Sequence, residues 1–370
     1  MKLRRAPNLV QPEEYFAMKL YELPEAEQQT FLGAYNDGVV NYMVASPLWI
    51  GIARDKLLFH NIFASLGYRL PHIQLLYTPT HRSCVGATLA ENAESLAEGI
   101  RHLHPPVFAK PLGGDLGLGV RHIVSIDAAG DCVVLLSGEK VAIPELSRQI
   151  VEAGLGGYVF QDIIRNAPEM REMFGEELVS MRACVVREDG VYRLLRAWLK
   201  VRIAGNITDN WDHGRHGNGV AVLDEDSGMI KDILTGEYPN VEHGELHPGT
   251  GEQLVGRAVP RWMEIRAYVE RAARELPSFT IQHWDIVLSD QGPLILELNE
   301  DQSLHALQGM GRRGLLDDRF SAVLAAHGHD LRSLNTQEFM RQVAGIMSKA
   351  YGMDNALMGK GTFYMPATRL

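Results

Sequence analysis

Cysteine is scarce in this chain. Cys84, Cys132 and Cys184 are the only three in 370 residues, and they lie far apart without paired spacing. That excludes a disulfide framework or a cysteine-built zinc site and fits a reducing cytoplasm, where we expect the protein to reside. Long hydrophobic runs are also missing. The opening "MKLRRAPNLVQPEEYF" carries basic residues with no apolar segment behind it, so neither secretion nor a membrane partner is expected. Positive charge is in deficit, with 36 lysines and arginines against 46 acids and a formal net charge of −10. A general nucleic-acid binder, which draws its affinity from neutralising phosphates, is excluded on that ground. Any basic site must be local.

What is present is an ordinary globular composition, 46% hydrophobic and 22% charged, in a chain long enough for two or three packed units. Internal repeats and low-complexity tracts are absent. From about residue 13 to 66 apolar residues recur at three- and four-residue spacing, which predicts helices, the last ending at Gly67. An extended segment "HIQLLYT" and a helix over "ATLAENAESLAEGIRHL" follow. Strands then dominate: "PVFAKP", "GVRHIVSID", "DCVVLL", "GYVFQDII", "ELVSMRACVVRE", "VYRLLRAWLKVRI", "GVAVLDE", "IQHWDIVLS" and "PLILELNE". Helices are expected at "PELSRQIVEAG" and "VPRWMEIRAYVERAAREL" and again in the tail. The class is α+β.

The last two strands carry the clearest chemistry. Asp290-Gln291-Gly292 between them suits a three-residue hairpin loop with glycine in the left-handed position. In that register Ser289 pairs with Pro293 and Asp285 lies opposite Glu297, with Asn299 on the same face. The opposite face, Ile286, Leu288, Leu294, Leu296 and Leu298, is expected to meet the core. Facing carboxylates repel unless a cation or a proton sits between them. Carboxylate and amide oxygens suit Mg²⁺, which also takes ligands from phosphates and water. Two readings stand at this point: a metal site, or a solvated strand face, since a two-residue loop would move Asp285 to the other side.

Lys110 ends the strand "VFAKP", and Gly113, Gly114, Gly117 and Gly119 follow it. The pattern is neither a Walker loop nor a dinucleotide fingerprint. Bare backbone amides beside a lysine could cover phosphates, and a plain flexible hairpin tip explains the same residues. In "RLLRAWLKVRI", Arg196, Trp198, Lys200 and Arg202 alternate with apolar residues, and Arg182 stands among apolar neighbours in "LVSMRACVV". A hairpin at "REDG" would bring these cations to one sheet; the turn decides whether Arg182 and Lys200 share a face. The histidines His213, His216, His243 and His247 sit in loop-like contexts without metal-binding spacing and are expected to line a polar cleft.

The ordered series "DKLLF", "VFAKP" with its glycine loop, "YVFQDII", "LVSMR", "LKVRIAGNITDN", "HPGTG", "WDIVL" and "LELN" resembles the ATP-grasp superfamily, most closely its sugar-transfer-associated group, over about residues 50 to 310. The resemblance implies an ATP-grasp fold, two α+β subdomains clasping ATP, here with a helical N-terminal region. The expected division is 1–66 helical, 67–106 linking segment and helix, 107–164 small lid subdomain, 165–310 large subdomain with the metal site, and 311–370 C-terminal helical tail. ATP and Mg²⁺, or Mn²⁺, are the implied cofactors. By position Lys56 and Lys110 correspond to lysines on the nucleotide phosphates, beside Gly113, Gly114 and Gly117. Gln161, Asp162, Ile163 and Ile164 correspond to the adenine hinge, through backbone groups of Asp162 and Ile164. Asp285, Glu297 and Asn299 correspond to the magnesium ligands, and Arg182 and Lys200 to cations at the transferred phosphoryl group. Asp209 and Asn210 fall in a loop facing the site, with no role assigned. The implied activity is an ADP-forming ligase that activates a small-molecule carboxylate as an acyl phosphate and joins it to an amine. A kinase acting on a hydroxyl or carboxylate, or a silent nucleotide-binding scaffold, would use the same residues.

Overall fold

The computed structural model describes residue 3 and residues 8–34, 40, 47–113, 119–299, 304–328, 341 and 345. Two seven-stranded sheets organise these residues. The first contains β1 (Ile73–Tyr77), β2 (Thr88–Ala90), β3 (Val107–Pro111), β4 (Arg121–Asp127), β5 (Cys132–Leu135), β6 (Lys140–Ala142) and β7 (Tyr158–Asp162), in spatial order β2-β1-β7-β3-β4-β5-β6. Only β1 and β2 run parallel. This sheet therefore reaches back into the segment read from sequence as a link. The expected helix there is shorter, Ala93–Arg101, because Asn92 accepts the Ser95 N–H and caps it. Thr88–Ala90 before that cap is free to pair as a strand.

The second sheet contains β8 (Ser180–Glu188), β9 (Val191–Val201), β10 (Gly219–Leu223), β11 (Ile230–Thr235), β12 (Glu242–Gly244), β13 (Ile281–Ser289) and β14 (Gly292–Asn299). Its order is β12-β11-β10-β9-β8-β13-β14, antiparallel throughout. One face packs on Trp262, Ile265 and Val269 of the helix Trp262–Ala273 and on Phe59 and Phe63 of the helix Lys56–Ser65. Part of the other face is covered by Phe320, Val323 and Leu324 of the helix Asp318–Ala326. The remainder of that second face carries the charged residues described below.

The helix Lys56–Ser65 starts where Asp55 accepts the Leu58 N–H and stops before Gly67, whose φ of 79° is left-handed. Upstream, Arg312, which donates to Glu22, and a buried glutamine from far along the chain both fasten the N-terminal segment. The carboxamide of the fully buried Gln308 accepts from the Leu32 and Leu315 N–H groups at 2.8 and 3.1 Å and donates to the Leu32 carbonyl at 3.1 Å. Replacing Gln308 with leucine strands these backbone groups away from water. Unfolding free energy should fall by about 2–4 kcal/mol, with faster proteolysis before residue 34. Urea titration showing a loss under about 0.5 kcal/mol would mean the segment is held by other contacts.

Candidate active site

Two register shifts build the site. In the β13–β14 hairpin Ser289 pairs with Gly292, so the turn has two residues, not the three expected. Taken alone, that register would set Asp285 against Leu296 and turn Glu297 to the other face. A bulge corrects it: Ile286 pairs with Ile295, the next pair is Asp285 with Glu297, and Leu296 is the extra residue. The expected pairing of Asp285 with Glu297 is present for a different reason. The core-facing set changes accordingly, to Trp284, Ile286, Leu288, Ile295 and Leu298; Leu296 is half-buried and neither it nor Leu294 joins that core.

The β8–β9 hairpin repeats the device. Asp189 and Gly190, with φ of 48° and 80°, form a two-residue turn between the paired Glu188 and Val191. Past Leu195 the register shifts by one, so that Cys184 meets Arg196, Arg182 meets Trp198 and Ser180 meets Lys200. Arg182 and Lys200 thereby share a face. The core dictates this parity change, since Tyr192 and Leu194 before the bulge and Ala197, Leu199 and Val201 after it all enter the same cluster. The cationic side of β9 is thus no solvated face, for Arg196, Trp198 and Lys200 are all buried.

Across the third junction Arg182 pairs with Asp285. Its Nε donates to Asp285 Oδ1 and its Nη2 to Oδ2 at 3.0 Å, while Lys200 Nζ donates to Oδ2 at 2.8 Å. All three residues are less than a tenth exposed. Burial pushes the Asp285 carboxyl up, but the Arg182 and Lys200 charges outweigh it and hold the group well below the usual carboxylate range. Burial likewise works against the Arg182 charge, and Asp285, Glu297 and Asp209 more than restore it.

His283 lies two residues from Asp285 on the same face, paired with Asn299 and fully buried. Burial first and Arg182 second push its pKa down to about 3, so the ring is neutral and its Nδ1 has no hydrogen-bond partner. A histidine held below its unfolded value of 6.5 binds its proton only in the unfolded chain between pH 6.5 and about 3. Stability is lost as pH falls through that window, by roughly 1.4 kcal/mol per pH unit for one such group. His60, pushed down to about 4 by burial and by Lys110 and His72, adds in the same direction. His283→Gln should remove about one proton from the slope of unfolding free energy against pH between 4 and 6. An unchanged slope in urea melts across that range would refute the assignment.

Lys110 extends from β3 of the first sheet toward this face, its Nζ 3.9 Å from Glu297 Oε2. Burial lowers its pKa, Glu297 opposes that, and the neighbouring Lys56 adds to it, so the two lysines are brought together. Gly113 does not present a free amide: its N–H donates to the Leu155 carbonyl at 3.1 Å. Gly114 and Gly117 lie outside the described residues. On β7 and just after it, Gln161 is buried and Asp162, Ile163 and Ile164 are half-buried. The Asp162 N–H is taken by the His72 carbonyl at 2.9 Å, which removes it as an adenine donor. The Ile164 N–H has no hydrogen bond among the described residues.

Among the described residues no three His, Cys, Asp or Glu side chains gather closely enough to hold an ion. Asp285, Glu297 and Asn299 fit a magnesium site of the kind completed by phosphate and water. Glu297 is only partly engaged by Lys110, and Asp285 Oδ1 has a single donor. Hard oxygen donors on adjacent strands are what such an ion requires.

Glu177, His122, Ser180 and Asn218 lie around the site and have no signal in the sequence pattern. Arg202 pairs with Glu177, and His122 of β4 feels both charges. Ser180 donates its N–H and its hydroxyl to Asp209 Oδ2. The 203–218 loop that carries Asp209 is fixed by the buried Asn218, which accepts from Ile203 N and Asn206 Nδ2 and donates to the Thr208 and Asn210 carbonyls. The loop histidines serve local structure. His213 stacks on Trp211 and Tyr238, His216 and His243 pair with Asp212 and Asp232, and His247 accepts from Gly249 and Thr250 N–H.

A family profile described as "Sugar-transfer associated ATP-grasp" matches residues 46–323. No curated protein matches the chain. Solved structures similar to it include an L-amino acid ligase from Bacillus licheniformis, at 13% identity and a TM-score of 0.40, covering 79% of this chain and 51% of that one. A biotin carboxylase from Campylobacter jejuni gives 10% identity and a TM-score of 0.42 over 78% and 49%. The VanG D-Ala:D-Ser ligase from Enterococcus faecalis gives 11% and 0.37 over 84% and 69%. The chain spans about half the length of the first two. No helix among the described residues is long and apolar enough to cross a membrane. With a family match over most of its length, two sheets joined at Lys110 and Glu297 and an α+β architecture, the chain belongs to the sugar-transfer associated ATP-grasp family and has the ATP-grasp fold.

Proposed function

We propose that this protein is an ATP- and magnesium-dependent ligase that joins a small-molecule carboxylate to an amine through an acyl phosphate. The reading rests on one observation: Arg182 and Lys200, with Lys110 from the other sheet, surround a pair of facing carboxylates, Asp285 and Glu297. Cations positioned this way neutralise charge on a transferred phosphoryl group, which is most of what the protein must supply in such chemistry. Lys110 and Lys56 hold the nucleotide phosphates. Arg182 and Lys200 stabilise charge as the substrate carboxylate oxygen attacks the terminal phosphorus and ADP leaves. They act again when the amine attacks the acyl carbon and phosphate departs with the C–O bond electrons. Asp285, Glu297 and Asn299 would hold Mg²⁺, which would supply charge neutralisation on the nucleotide phosphates. Three unpaired cysteines support the reading of a reducing, cytoplasmic setting for the reaction.

The test is incubation with Mg-ATP and pools of amino acids, sugar acids and amines, reading ADP release and then product masses. A ligase yields ADP, free phosphate and a condensed product lighter than its parts by one water. ADP with a phosphorylated acceptor and no free phosphate would make the protein a kinase instead. Calorimetry showing no nucleotide binding at millimolar Mg²⁺ would leave a silent scaffold.

A further inference from the structure

The Asp209 carboxylate differs in charge and in role from the cations it adjoins. Asp285 has both oxygens occupied, and Glu177 is tied to Arg202. Asp209 is half-buried and spends one oxygen, Oδ2, on Ser180, while Oδ1 has no hydrogen bond or ion pair among the described residues. Ser180 is fully buried and directly opposite Lys200, so Asp209 lies at the end of the Lys200–Arg182 row, and its charge reaches Arg182. Two donors from one rigid strand residue, together with the Asn218 staple, fix the direction of the open oxygen.

A row of cations attracts ATP and a carboxylate substrate but repels the second reactant if that reactant is an amine, because a free alkylamine is an ammonium ion at neutral pH. An anionic acceptor at the edge of the row offsets that repulsion, and in a half-buried position it does so with weak solvent screening. We propose that Asp209 is the specificity residue that seats the ammonium group of the incoming nucleophile, with Ser180 as its positioning residue. The substrate class is therefore an amine that binds as a cation, releases one proton to water at the half-buried carboxylate and then attacks as the free base, and not a neutral hydroxyl. This inference rests on the ligase reading above, and the experiment separates the two.

Hydroxylamine is the probe, because it is mostly uncharged at pH 7 and intercepts an acyl phosphate as a hydroxamate. With the full-length protein, Mg-ATP and a carboxylate drawn from the amino acids and sugar acids, hydroxamate and amide yields are measured side by side. In Asp209→Asn the amide-to-hydroxamate ratio should fall roughly 30-fold, carried by a higher KM for the amine. Ser180→Ala, which frees the carboxylate without removing its charge, should lower the ratio by a smaller factor. A ratio equal to wild type in a folded Asp209→Asn protein overturns the proposal. Should that variant not fold, an unchanged ratio in Ser180→Ala overturns it equally. Failure of the wild type to form either product from any carboxylate rejects the ligase reading itself, and is seen before a variant is made.

Discussion

Replacing Asp285 with alanine should lower the free energy of unfolding by about 3–5 kcal/mol, the range found when one member of a buried ion pair is removed. The cost comes from what is left behind. Arg182 and Lys200 are less than a tenth exposed, and both direct their donors at the lost carboxylate. Two like charges would then share a buried space without the carboxylate that both hydrogen-bond. Urea unfolding at neutral pH measures the effect, and a shift under about 1 kcal/mol would show that the cations relax to water. The triple replacement Arg182→Met, Lys200→Met, Asp285→Leu should regain most of that stability while losing all ATP-dependent activity. That pair of results would mean the triad is retained for chemistry and not for the fold. At low pH wild type should approach the Asp285→Ala level. The folded carboxyl lies below its unfolded value of 3.8, so its contribution is present above that pH and is lost as pH falls through the folded pKa.

Glu297 should behave in the opposite way. Its side chain is 31% exposed, and its nearest cation stands at 3.9 Å. Little stability depends on such a contact, so Glu297→Gln should melt within a degree or two of wild type. ATP consumption, in contrast, should drop by roughly a thousandfold, because the substitution removes one full charge from the oxygens that would hold the metal between two phosphates. Turnover at the wild-type rate would take Glu297 out of the mechanism. Opposite effects from two carboxylates on facing positions would identify Asp285 as the buried hub of the cation triad and Glu297 as the ligand open to the substrate side.

Much of this arrangement is legible in the residues, and the misreadings are local. The three-residue loop expected between β13 and β14 gives the same Asp285–Glu297 pairing as a two-residue turn followed by a bulge, since each displaces the register by one. The bulges themselves leave a trace. Along "YRLLRAWLKV" the core residues step from Tyr192 and Leu194 to Ala197, Leu199 and Val201, and along "PLILELN" from Ile295 to Leu298. An interruption of the two-residue period is the signal, and neighbouring leucines mask it by filling both parities. The engagement of the Gly113 amide is invisible locally because its partner, the Leu155 carbonyl, lies 42 residues on in a separate turn. Asp209 is legible only as part of a loop facing the site, without a role, for nothing local marks a carboxylate whose donors sit 29 residues upstream.

By itself the sequence determined the chemistry on offer: hard oxygen donors on two late strands, lysines and arginines in alternating positions, and an α+β class that the two sheets bear out. These follow from residue types and short periods, which neighbouring residues alone establish. Only the tertiary structure decided which of those groups meet. Alternation assigns a residue to one of two faces, and an apolar core on one side of the second sheet forced Leu195 and Leu296 out of register so that Tyr192, Leu194, Ala197, Ile295 and Leu298 could all be buried together. As a consequence of that packing, Arg182, Lys200, Asp285 and Glu297 came to one face, and Asp209 was drawn onto Ser180 beside them.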